Sequence, residues 1–327
     1  MKKVLGFLAA LWPLAGIGAR AEPDCASPAR IEAPIGGPLQ RLHRVEDYQA
    51  ILQSCTNADK ERLAIRAMRV GGEEFLLTVD SKSLDTSIER RTCWTCREPK
   101  GTSRFQQLVA QFADDPGNRL KPGATWLDNA GLKHGHGEGA FLTADLCPSR
   151  KSLDRDFLQK LEKAGPATQI ALSVSGLWIA HHPEDFDWLR REKAEGRLAI
   201  TFVNHSYTHP YRPGLPTGQN FLLAPGLDKD REIFDVERLL IANGETPSVF
   251  FRFPGLISDA GWMQALKDDH LIPLGADAWL ALEQKPREGA IILVHVNGNE
   301  PLGLSKFQDL SLRGALPTPF LPLTRAP

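Results

Sequence analysis

Two histidines four positions apart close the stretch Ile200-Thr201-Phe202-Val203-Asn204-His205-Ser206-Tyr207-Thr208-His209-Pro210. Imidazoles at that spacing, held where an apolar strand gives way to a turn, can close on one cation from the same side. Other residues able to do chemistry also stand at the ends of apolar runs: Asp145, Arg252 and His295, with Asp277 behind the short run 271–274. Each has a plain structural use as well: a turn residue, a structural ion pair, a satisfied core histidine. Their recurrence at equivalent positions is what sets them apart. His134 and His136, in Lys133-His134-Gly135-His136-Gly137, are either a source of a further metal ligand or an ordinary loop.

The elements that must position these residues follow from the apolar pattern. Runs at 140–144, 169–174, 198–203, 248–253 and 290–294 are apolar at successive positions, as strands covered on both faces are. Segments of helix length lie between them. Residues 228–242 place Ile233, Val236, Leu239 and Leu240 on one face and stop at Asn243-Gly244. Strand then helix, repeated, predicts an α/β fold whose barrel-like parallel sheet is covered by helices. In that architecture the strands' C-terminal ends form one functional rim. Asp145, Asn204, His205, Arg252, Asp277 and His295 would then project from it.

The rest of the chain bounds its setting. Lys2 and Lys3 precede an apolar run over 4–17 and then Ala19-Arg20-Ala21, the pattern of a signal peptide over 1–21 cut after Ala21. Such a chain is secreted or periplasmic. With 39 basic and 40 acidic side chains and a formal net charge of −1, no charge excess points to nucleic acid or an anionic membrane as partner. No run after residue 21 has the length and apolarity of a membrane span. Residues 22–113 read as a small α+β region, with helical apolar spacing over 45–52 and 59–68 and a strand over 73–80. A Gly- and Pro-containing linker at 114–123 leads to a main unit over 124–310. The tail, 311–327, carries four prolines and is expected to be extended or frayed. Five cysteines leave one unpaired in an oxidising compartment. A local Cys93–Cys96 loop disulfide and a Cys25–Cys55 bridge are the expected pairings, with other connectivities open.

The motifs resemble those of the polysaccharide deacetylases with the NodB homology domain, carbohydrate esterase family 4. Asn204-His205-Ser206-Tyr207-Thr208-His209-Pro210 is similar to the family's metal-binding histidine motif nearly letter for letter. Ser175-Gly176-Leu177-Trp178-Ile179-Ala180-His181-His182-Pro183, Phe251-Arg252-Phe253-Pro254-Gly255, Asp277-Ala278-Trp279 and Gly289-Ala290-Ile291-Ile292-Leu293-Val294-His295 resemble its other motifs in order. The resemblance covers about residues 139–300 and implies a distorted NodB-type β/α barrel. It also implies a divalent metal, zinc by default with nickel or cobalt as alternatives, and an acetylated polysaccharide or oligosaccharide as substrate. By the same resemblance His205 and His209 bind the metal, and Asp145 acts as base or as third ligand. Arg252 would hold Asp145, and His295, oriented by Asp277, would protonate the leaving amine. One departure stands out: Thr143-Ala144-Asp145-Leu146-Cys147 has leucine where the family carries its ligand aspartate. An amide or O-acetyl ester hydrolase on the same scaffold, or a glycan-binding pseudoenzyme, are the alternative expectations.

Overall fold

The computed structural model describes residues 24–58, 60–118, 120, 123, 125–165 and 167–327. The expected signal peptide lies outside the described residues. The N-terminal region is an antiparallel sheet of β1 (Val45–Asn57), β2 (Lys60–Val70), β3 (Glu73–Val79), β4 (Thr86–Arg90) and β5 (Thr95–Arg97), ordered β4-β3-β2-β1-β5. Helix α1 (Arg104–Ala113) follows. Its Ser103–Gln106 capping box satisfies free backbone N–H groups at its start.

The first two strands occupy the segments expected to be helical, and the expectation fails for a packing reason. Register shifts in the β1–β2 and β2–β3 pairs interrupt the two-residue alternation. Both faces of β2 are also covered. Ala64 packs with Cys55, Leu76 and Trp94, while Leu63 and Ile65 face the main core. Apolar residues therefore come in succession and at three- and four-residue spacings, as on a helix. The disulfides differ from expectation too: Cys25 pairs with Cys93, and Cys55 with Cys96. Cys55 and Cys96 are direct partners across the β1–β5 ladder, so the strand pairing decides the connectivity.

After β6 (Leu127–Asp128) the chain builds the main sheet from β7 (Phe141–Leu146), α2 (Arg155–Ala164), β8 (Thr168–Val174), α3 (Gly176–His181), α4 (Pro183–Ala194), β9 (Leu198–Asn204), α5 (Lys229–Ala242), β10 (Phe250–Phe251), β11 (Ile257–Ser258), α6 (Ala260–Asp268), β12 (Ile272–Pro273), β13 (Ala278–Trp279), β14 (Ile291–His295) and α7 (Pro301–Leu312). Strand β11 pairs with β6 apart from it. The other seven strands are parallel, in the order β12-β10-β9-β8-β7-β14-β13. This is the expected barrel-like sheet flanked by helices. At its open side the segment around Leu132–Gly135 bridges Leu274 and Ala290. The expected helix over 228–242 is α5, capped by Asp228 and ended at Asn243.

Alternation along the parallel strands separates two cores. Phe141, Val203, Ile291 and Leu293 share one with Val45, Ile65, Phe75 and Leu77 of the antiparallel sheet. Leu142, Ala144, Leu146, Phe202, Ile292 and Val294 pack in the other with residues of the covering helices. A fully buried Arg66 bonds Glu237 of α5 with both Nε (2.8 Å) and Nη2 (3.1 Å), and Tyr48 donates to the same carboxylate. The tail is neither frayed nor simply extended: it carries the end of α7 and a helical turn over Leu323–Arg325. Leu321 N–H donates to Ala140 O and Ala140 N–H to Pro319 O, and Leu323 and Ala326 are buried. No helix among the described residues is long and apolar enough to cross a membrane.

Candidate functional site

The registers of the parallel ladders gather the site. His295 sits level with Asp145, Asp145 with Ser173, Val174 with Asn204, and Asn204 with Phe251. The residues at or next to the ends of these strands, Asp145, Asn204 and His295, and those just beyond them, Cys147, His205 and Arg252, therefore share one rim. Thr143 and Asp145 face Arg252, whereas Leu142, Ala144 and Leu146 face the helices. Leu146 is thus no gap in the site. The side chains of 145 and 147 both reach it, and that of 146 lies in the core.

The loop after β9 is held from several directions. Asn204 Nδ2 donates to Ile233 O (2.7 Å), and its Oδ1 accepts from Ser206 N–H (3.0 Å). Ser206 Oγ accepts from His209 N–H (3.1 Å). Thr208 donates through N–H and Oγ1 to the buried Glu232 carboxylate in the first turn of α5. These bonds hold Ser206 and His209 at φ of 63° and 42°, a region few non-glycine residues occupy.

That scaffold aims the imidazoles. His205 Nδ1 lies 2.8 Å from Arg252 O. A carbonyl only accepts, so Nδ1 carries the proton and Nε2 turns to the site. Nε2 is 3.5 Å from Cys147 Sγ and 3.6 Å from Asp145 Oδ2. His209 lies against it, ring centroids 4.6 Å apart, and its buried Nε2 has no hydrogen-bond partner. The ligating atoms of Cys147, His205 and His209 all lie within 4.8 Å of one another.

The charged neighbours are fixed as firmly. Arg252 is fully buried and donates from Nη1 to Asp145 Oδ1 (3.1 Å) and Thr143 Oγ1 (2.8 Å), and from Nη2 to Gly275 O (2.9 Å). His295 Nδ1 stands 2.8 Å from Glu300 Oε2, an ion-pair distance whose angle falls short of a hydrogen bond. Trp279 Nε1 donates to the same oxygen (2.9 Å).

Electrostatics follow from this packing. Burial pushes the Cys147 thiol up, but His209, with His205 and His295 beside it, brings it well below its usual range. Burial opposes protonation of His295, but Cys147 and Glu300 overcome it and hold the imidazole well above its usual value. His205 is likewise raised against burial, chiefly by Asp145. A thiolate against imidazolium is the arrangement whose protons a cation displaces on binding.

Five of the residues expected to act together do meet here: Asp145, His205, His209, Arg252 and His295. Asp277 does not, and its expected contact with His295 is corrected. Ala278 pairs with Ile292, so Asp277 lies at the start of β14, on the opposite rim. Its Oδ1 accepts from Ile291 N–H, and its Oδ2 lies 2.8 Å from His134 Nδ1. His134 is engaged there, and His136 lies in the same segment, its N–H donating to Ala326 O. Neither supplies a third ligand. Two residues of the site were not foreseen. Glu300, not Asp277, faces His295, and its sequence signal is slight: an acid ahead of Pro301 at a helix start. Cys147 had a stronger signal as the odd cysteine left once the other four pair.

No family model matches the chain. Solved structures similar to it include a family 4 carbohydrate esterase from Bacillus anthracis, with 19% identity over 60% of this chain and 86% of that one and a TM-score of 0.44. A second is a family 4 carbohydrate esterase from Streptomyces lividans, with 22% identity over 58% of this chain and 97% of that one and a TM-score of 0.40. A third is a pseudoenzyme of the same family from Bacillus anthracis, with 17% identity over 58% and 67% of the two chains and a TM-score of 0.39. The family these structures bear by name is the one the sequence motifs resemble.

Proposed function

We propose that the protein is a secreted metal-dependent hydrolase that removes N-acetyl groups from a polysaccharide. The observation that carries this is the orphaned, buried Nε2 of His209, its ring against that of His205, beside a carboxylate clamped by Arg252. Burying an imidazole nitrogen without a partner costs free energy that a cation would recover. Two nitrogen donors and a thiol within one small sphere fit a borderline divalent ion such as zinc. Such an ion supplies Lewis acidity, bringing the pKa of a water to about 7 and polarising an acyl carbonyl.

The chain's own residues then have separate tasks. His205 and His209 hold the ion. Asp145, held in place by Arg252, accepts the proton of the attacking water. His295, kept protonated against Glu300, gives its proton to the departing amine nitrogen. Acid–base help of this kind contributes ~10²–10⁴-fold. We assign the activity to residues 124–310, with export directed by residues 1–21 and cleavage after Ala21.

The test is acetate release from N-acetylated glycan oligomers by the zinc-loaded protein. The expected result is activity that a chelator abolishes and that Asp145→Asn and His295→Ala each lower by ~10²-fold or more. Acetate released from O-acetylated glycans alone would move the activity to ester hydrolysis. Glycan binding without acetate release from either would replace the enzyme with a binding protein.

A further inference from the structure

We propose that the Cys147 thiolate is the third protein ligand of this metal centre, where a carboxylate would otherwise serve, and that Asp145 stays outside the coordination shell. The inference rests on the metal-dependent function proposed above and deepens it.

Geometry argues first. A tetrahedral ion with Zn–S near 2.3 Å and Zn–N near 2.0–2.1 Å spaces its ligand atoms roughly 3.3–3.8 Å apart. Cys147 Sγ stands 3.5 Å from His205 Nε2, the length of such an edge. A ring nitrogen of His209 is within 4.8 Å of the other two ligand atoms, and its buried Nε2 has no hydrogen-bond partner among the described residues. Asp145 lies near His205 but is not one of the three residues whose ligand atoms share that sphere. Its Oδ1 is already occupied by Arg252.

Position argues second. Strand alternation turns residue 146 into the helix-side core, so a ligand there would have to leave its place in the sheet. Residue 147 has the other orientation, and its backbone is pinned: Cys147 O accepts from Asn297 Nδ2 (2.8 Å), and Asn297 is fully buried. Among the described residues it is the one cysteine not in a disulfide. The site thus becomes a Cys–His–His centre with an open fourth position. A soft thiolate in that set favours zinc and cobalt over magnesium, calcium or manganese.

The division of labour follows. With the thiolate completing the ligand set, Asp145 keeps a free oxygen for a proton, which a carboxylate committed to the ion could not offer as well.

Cobalt(II) titration of the metal-free full-length protein tests this by absorption spectroscopy, independent of any substrate. The expected result is one cobalt per chain with tetrahedral d–d bands and a near-ultraviolet thiolate-to-cobalt charge-transfer band. Cys147→Ser should lose the charge-transfer band and bind cobalt more weakly, by more than the ~10–100-fold that loss of an outer-shell partner causes. Cys147→Asp should recover affinity without that band, which separates ligand loss from misfolding. Asp145→Asn should keep the band and the stoichiometry. Tetrahedral d–d bands without charge transfer in the unaltered protein would overturn thiolate ligation and leave the metal-dependent function standing. So would loss of cobalt from Asp145→Asn but not from Cys147→Ser. If the unaltered protein binds no cobalt, both proposals fall.

Discussion

The Glu300 carboxylate touches two groups at once, the His295 imidazole and the Trp279 indole, and these contacts give it a specific job. Burial works against a charged His295, and Glu300 is one of the groups, with Cys147 and Asp145, that reverse the balance. In return His295 helps hold the Glu300 carboxyl below its usual range against its own burial. Glu300→Gln keeps an oxygen for Trp279 but removes the charge, so imidazolium loses a close anion. The alkaline limb of the activity profile should then move to lower pH, on the order of one unit, with kcat reduced and KM little changed. Asp277→Asn is the matched control. Asp277 sits at the other rim with His134, so this variant should keep the limb where it is and change mainly thermal stability. A profile shifted by Asp277→Asn and unmoved by Glu300→Gln would reverse the assignment.

Elements decide which of these residues were readable in advance. Asp145, His205, Arg252 and His295 were legible because parallel strands bring their C-terminal ends to one rim, so an apolar run followed by a polar residue is already a statement about place. Asp277 looked equivalent, but it precedes a two-residue strand and so belongs to the opposite end. Glu300 reaches the site from the start of α7, which strand-end logic does not address. Strands β1 and β2 were misread because bulges and two-sided burial erase the alternation that marks a strand. The histidine loop shows the same dependence on a neighbour, because α5 holds it through Glu232. Glu232→Ala removes both oxygens that accept from Thr208 N–H and Oγ1. The loop should relax, and zinc affinity measured by chelator competition should fall ~10–100-fold, as for other outer-shell partners. Far-ultraviolet circular dichroism should not change. A tighter restraint lies beneath the same loop. A Cβ on Gly176 would stand 2.1 Å from Tyr207 Cδ2, so α3 can approach the loop only without a side chain there.

At the scale of the whole molecule, the two sheets meet around Arg66 and Glu237, and this junction carries opposed titrations. Burial lifts Asp269 to about 6, with Glu237, Asp230 and Asp268 adding and Arg66 opposing. Burial, with Arg66, lowers the neighbouring His270 to about 4. Between about pH 4 and 6 the folded Asp269 keeps a proton that the unfolded chain, at 3.8, has released, so its contribution to stability falls as pH rises. Between about pH 4 and 6.5 the folded His270 is neutral while the unfolded imidazole, at 6.5, is charged, so its contribution rises with pH. The two slopes oppose each other and leave the junction nearly insensitive to pH across that window. Removing one residue should expose the other. His270 has φ of 57°, a conformation asparagine tolerates well, so His270→Asn tests the titration with little added backbone strain. Relative to the unaltered protein, the Tm of His270→Asn should fall from pH 4 to pH 6, and that of Asp269→Asn should rise over the same range. Scanning calorimetry of the three proteins at pH 4, 5 and 6 reads both slopes. Parallel Tm curves for all three would mean that neither residue changes its proton affinity on folding, and that the junction's tolerance of pH comes from Arg66 and Glu237 alone.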